Sequence, residues 1–147
     1  MLRVVYSVLG HFMLVDSLNG QTGDQVTLLS PKVILSAPSI LTFFYYMHMN
    51  EKDTVGTLTV YRYTQLHTYD KVLFTANGNH EQMWDVASIC IPAGTYQLAF
   101  VAAVGLPSLS DIAIDGISVD RALEDKLCLD INSSSAEGIV SCTVTIL

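Results

Sequence analysis

The segment ILTFFYYMHM, residues 40–49, constrains this chain more than any other. At period two it places Leu41, Phe43, Tyr45 and Met47 on one face and Thr42, Phe44, Tyr46 and His48 on the other. Successive side chains of a strand point to opposite faces, so this apolar stripe becomes continuous only when the segment is extended. Aromatic residues sit on both faces, which suits a strand partly covered on each side. Such a strand needs neighbours in its own sheet and a second layer against its apolar stripe.

The rest of the chain repeats the theme. NEKDTVG breaks the first run, and TLTVYRYT resumes with Leu58 and Val60 opposite Thr57, Thr59 and Tyr61; the two runs together predict a hairpin with a long acidic loop. KVLFT leads into ANGNHEQ, where Asn77-Gly78 signals a tight turn. MWDVASICI, the turn PAGT and YQLAFVAAV follow, the last alternating Tyr96, Leu98 and Phe100 with Gln97 and Ala99. GLPSLS then interrupts before DIAIDGISV. Upstream, RVVYSV and HFMLVDS read as strands, and LNGQTGDQ as a loop before VTLLSP. RALEDKL is the only helical-looking piece, and GIVSCTVTIL predicts a last strand. Short strands, regular turn signals and no strand–helix alternation predict an antiparallel sandwich or barrel.

The totals narrow the function. With 147 residues the chain is long enough for one domain with a real core, and 14% charged residues beside 50% hydrophobic ones exclude disorder. Seven basic against fourteen acidic residues give a net charge of −7, which repels nucleic acid and anionic lipid. No run is long enough to span a bilayer, so direct membrane insertion is not expected. In MLRVVYSVLGHFMLV one Arg precedes an apolar run, as in a signal peptide, but Gly10 and His11 interrupt it and no small-x-small site follows.

Cys90, Cys128 and Cys142 lack the spacing of a zinc site. Two readings stay open for them. Cys128 and Cys142 flank the polar LDINSSSAEGIVS and would bridge a hairpin, leaving Cys90 a buried free thiol in ASICIP; or all three are reduced core residues. Asn132-Ser133-Ser134 is an N-glycosylation sequon if the chain is secreted.

The order of the pieces resembles the MAM domain, an extracellular module of receptor phosphatases, neuropilins and meprins. GHFMLVD, GDQVTLLSP, LTFFYYM, VGTLTVY, Gln82-Met83-Trp84 with DVASICI, TYQLAFVAAVG and DIAIDGISV run in family order from Gly10 to Val119. The resemblance implies an all-β, antiparallel jelly-roll-like β-sandwich over residues 1–120, with 121–147 as a C-terminal extension that forms a final strand or starts a following segment. It also implies that the family's opening strand is missing, leaving a bare sheet edge that would favour self-association. Ile40 stands where the family usually has a cysteine, Gly116 replaces the second Asp of the usual IAIDDI, and a cysteine expected after DIAIDGISV is absent unless Cys128 takes that role.

Candidate chemistry is sparse. Asp111 and Asp115 bracket Ile112-Ala113-Ile114, and acids are depleted in strands, so they would hold a cation, cap a strand end or face water. By resemblance, Asp115 with Asp111 as neighbour would ligate Ca²⁺ or Na⁺, hard cations that want oxygen ligands, though no cofactor is required. Trp84 is expected in the core between the sheets. His11, His48, His67 and His80 have no ligand spacing, and no nucleophile motif occurs, so no enzyme is expected. Tyr61, Arg62, Tyr63 and Tyr69 have the residue types that interfaces favour and form the candidate contact patch.

The function implied by the resemblance is a non-catalytic extracellular or cell-surface module for adhesion or protein–protein interaction, with homotypic association of its parent protein included. The alternatives are a carbohydrate-binding jelly roll and an accessory domain of a secreted enzyme. Tyrosines lying flat in a concave face would favour sugar, and tyrosines on a flat or convex patch a protein partner.

Overall fold

The computed structural model describes residues 2–7, 10–15, 20–48, 55–64, 68–80, 82–105 and 111–121, with backbone alone for 2–7, 10 and 11. Cys128, Cys142, the sequon at Asn132, His67, the helical-looking piece beyond Arg121 and the predicted last strand lie outside these residues.

Ten strands and no helix make up the described residues. The first sheet has the order β1 (Leu2–Ser7), β2 (Gly10–Val15), β10 (Asp111–Arg121), β5 (Ser39–His48) and β8 (Asp85–Ile91). The second has β3 (Gln25–Leu29), β9 (Gly94–Val104), β6 (Gly56–Tyr63) and β7 (Tyr69–Asn77), with β4 (Val33–Leu35) also paired to β9. Every pairing is antiparallel. The fold is a jelly-roll-like β-sandwich: the alternation predicted an antiparallel sandwich or barrel, and the family resemblance implied the jelly roll.

The core is the set of inward stripes. Leu41, Phe43, Tyr45 and Met47 of β5 are all buried, and so are Leu58 and Val60 of β6 and Tyr96, Leu98 and Phe100 of β9. Phe43 is fully buried and meets Phe74 and Phe100 edge-on, each at 5.2 Å between centroids. Burying a side chain of that size contributes roughly 1.5–3 kcal/mol, with edge-to-face contacts adding about 0.5–1.5 kcal/mol each.

The predicted hairpin of β5 and β6 does not form. β5 pairs with β8 and β10, β6 pairs with β7 and β9, and the two strands face one another across the core. Each carries a stripe of large apolar residues, so placing them in opposite sheets buries one stripe against the other, which pairing side by side would not do. The same holds at Asn77-Gly78 and at PAGT: the chain turns there, but β7 to β8 and β8 to β9 each pass from one sheet to the other. The edge beside β2 is occupied by β1, in register from Leu2↔Val15 to Ser7↔Gly10.

Candidate functional site

The sandwich exposes two outer faces, and each has a large aromatic side chain laid across small residues. On the first sheet, β10 supplies Asp111, Ala113 and Asp115 to the outer face, with Leu14 of β2 and Tyr46 of β5 in register on either side of Ala113. Trp84 precedes β8 with the parity of Val86, so its indole points outward. It packs against Phe12 at 5.6 Å and Tyr46 at 5.8 Å, a span that runs from β2 to β5 and covers Ala113, only 2% exposed on an outer face.

This corrects the expectation of a Trp84 buried between the sheets. The indole lies outside the first sheet, 41% exposed, in a patch with Phe44 (45%) and Val86 (57%). Phe44 and Val86 are directly opposed in the register. Sequence reasoning missed this patch because it assigned Trp84 by the usual burial of its type. The parity of Trp84 with Val86 and Ser88 was the available signal.

The loop before Trp84 is pinned to β5. His80 Nδ1 lies 2.6 Å from Asp85 Oδ2, the His80 amide donates to the Met47 carbonyl at 2.9 Å, and the His80 ring meets Tyr45 edge-on at 5.5 Å. Burial, with the Asp85 carboxylate adding to it, pushes the Tyr45 phenol above its ordinary value. The His80–Asp85 pair joins residues five apart across a turn, and no spacing motif announced it.

On the second sheet the tyrosines of the expected contact patch do meet. Tyr61 and Tyr69 stack at 4.6 Å with 30° between planes, and Tyr63 is tilted against Tyr69 at 5.7 Å. Beneath them Ala99 and Val101 are buried although they point outward from β9. Arg62 does not join this group. It alternates to the other side of β6, forms a two-oxygen pair with Asp70 (2.9 and 3.0 Å) and sits 5.9 Å from the ring of buried Tyr96. The hydrogen bond to Asp70 raises the Arg62 pKa, and burial raises that of Tyr96 against the opposing charge of Arg62.

The carboxylates of β10 are not brought together. Asp111 and Asp115 share a face but stand four residues apart, about 13 Å along a strand. One cation holds its oxygens at about 2.3–2.6 Å, so it cannot take both. Asp115 Oδ1 instead accepts from the Gly116 amide at 2.7 Å. Among the described residues no group of three or more His, Cys, Asp or Glu is gathered around a common point. No described helix is long and apolar enough to cross a membrane.

Cys90 also departs from expectation: it is disulfide-bonded and half-buried on the outer side of β8, not a buried thiol. Alternation explains the placement, because Ala87, Ile89 and Ile91 take the inward positions.

Comparison with known proteins agrees with this architecture. The family model "MAM domain, meprin/A5/mu" matches residues 6–128. The chain is 29% identical over 114 residues to MAM domain-containing glycosylphosphatidylinositol anchor protein 1 of Gallus gallus, covering 76% of this chain and 12% of that protein. It is 28% identical over 123 residues to Neuropilin-1 of Homo sapiens, covering 81% of this chain and 13% of that protein. The chain therefore spans a small part of the length of these relatives. Among solved structures, the K3 cleaved adhesin domain of Lys-gingipain from Porphyromonas gingivalis superposes with a TM-score of 0.61 at 16% identity, over 76% of this chain and 74% of that one. At that identity the likeness concerns the fold.

Proposed function

The chain belongs to the MAM domain family, and on that premise we propose that it is a non-catalytic module of an extracellular or cell-surface protein that associates with a second copy of itself through the outer face of the first sheet. The observation that carries this reading is the apolar patch of Phe44, Trp84 and Val86, each more than 40% exposed and brought together on the outer side of the first sheet by the β5–β8 register. Contiguous exposed apolar surface of this kind is what association sites present. Trp84 is held from below by Phe12 and Tyr46 and its loop is anchored by His80–Asp85, so little side-chain freedom remains to be lost on contact. The disulfide at Cys90 supports an oxidising, extracellular location. Residues 1–120 form the module in this reading, with 121–147 as an extension.

Sedimentation velocity at low and high protein concentration tests it. The wild-type chain is expected to associate as concentration rises, and Val86→Asp, which sets a carboxylate opposite Phe44, to remain a monomer. A wild-type chain that stays monomeric throughout overturns the reading.

A further inference from the structure

The outer face of the second sheet has a different chemistry. The register builds it in rows: Thr27, Val101, Thr59 and Thr75 lie side by side, and next to them Gln25, Ala103, Thr57 and Asn77. Tyr61, Tyr63 and Tyr69 occupy the other end. None of these residues is charged, on a chain whose net charge is −7. The Tyr69 hydroxyl lies 3.4 Å from Thr27 Oγ1, although β7 and β3 are the two edges of the β3-β9-β6-β7 path. On a flat sheet three strand spacings separate those edges by about 14 Å, so the contact requires the face to be dished. Tyr69 stacks on Tyr61 with one side and is still 48% exposed.

We propose that this dished face binds a neutral oligosaccharide, with a sugar ring against the exposed part of Tyr69 and its hydroxyls met by Gln25, Thr27, Thr57, Thr75 and Asn77. A pyranose has an apolar C–H face that packs on an aromatic ring, and hydroxyls that both donate and accept. Threonine hydroxyls and carboxamides do the same, so each sugar hydroxyl finds a partner whichever way its proton points. An apolar peptide would cover threonine hydroxyls without replacing their hydrogen bonds to water, which costs about 1–3 kcal/mol for each one left unpaired. The face lies on the opposite side of the sandwich from Trp84 and Val86, so this inference stands independently of self-association.

The test titrates the chain with cello-oligosaccharides, mannose oligosaccharides and N-acetyllactosamine oligomers, beside sialylated N-acetyllactosamine as the charged control. At least one neutral series is expected to bind, with Tyr61→Ala and Tyr69→Ala each weakening it by about tenfold or more and Val86→Asp leaving it unchanged. Chemical-shift mapping on the wild-type chain reads the same site without a variant, and perturbation is expected at Tyr61, Tyr69 and Thr27. The proposal is overturned if no neutral series binds, if shifts map elsewhere, if a folded Tyr69→Ala chain binds as tightly as wild type, or if only the sialylated probe binds.

Discussion

Tyr45 carries a phenol into a space where Phe43 and Phe74 offer carbon, and only 8% of the residue is exposed. Its pKa, and that of Tyr96, are raised above the ordinary value of 10.0. The sign follows from linkage: an acid whose folded pKa is raised is neutral in the fold while the unfolded chain already loses its proton. Stability is therefore full below pH ~10 and falls as pH rises from there toward the folded value. Denaturant unfolding across this range is expected to show that fall, with a shallower slope in Tyr45→Phe; an unchanged slope would contradict it. The inward place of Tyr45 was legible from the alternation of β5, because parity alone decides it. The state of Cys90 was not, because a disulfide depends on a distant residue that local pattern does not contain. Reducing the protein, or replacing Cys90 with Ser, is expected to lower unfolding stability by about 2–5 kcal/mol. An unfolding midpoint that ignores reductant would contradict this.

At the scale of elements, stripes were easier to read than pairings. The two faces of β5 match the alternation residue by residue, and in β6 and β9 the expected inward residues are buried while Thr59, Ala99 and Val101 of the outward set are covered as well. Which strands pair is a non-local choice, and a hairpin was assigned to β5 and β6 where the structure crosses between sheets. Gly56, at the start of β6, shows what a crossing requires. Its φ of +111° is one that side chains rarely adopt, and an added Cβ would meet the Ala103 carbonyl oxygen at 2.1 Å. Gly56→Ala is expected to destabilise the domain by about 3 kcal/mol or more, from backbone strain plus displacement of β9; thermal unfolding within a degree or so of wild type would contradict the tight crossing. β10 answers the question its two acids raised. Asp115 opens a bulge by accepting from Gly116, and Asp111 begins the strand. Millimolar calcium is accordingly expected to leave the unfolding midpoint unchanged, and a calcium-dependent rise would mean that a cation site forms at this end, since a ligand bound only by the native state stabilises it.

For the whole molecule, the order of short strands was enough to give the fold and the family resemblance, because both depend on sequence patterns spread along the chain. The contact surface was not legible in the same way. It depends on which outward residues a pairing sets side by side: Phe44 beside Val86, and Trp84 reaching Phe12 across two intervening strands. The proposed contact has a physical signature at this scale. Two copies with a net charge of −7 each repel, and the surface proposed to join them is apolar, with Asp111, Asp115 and Asp120 exposed along β10. Salt screens repulsion between exposed charges and leaves apolar contact intact. The most direct measurement is therefore the self-association constant of the wild-type chain by sedimentation at low and at high ionic strength. The association is expected to strengthen with salt and to be abolished by Val86→Asp. An association that weakens with salt, or that Val86→Asp leaves intact, would contradict it.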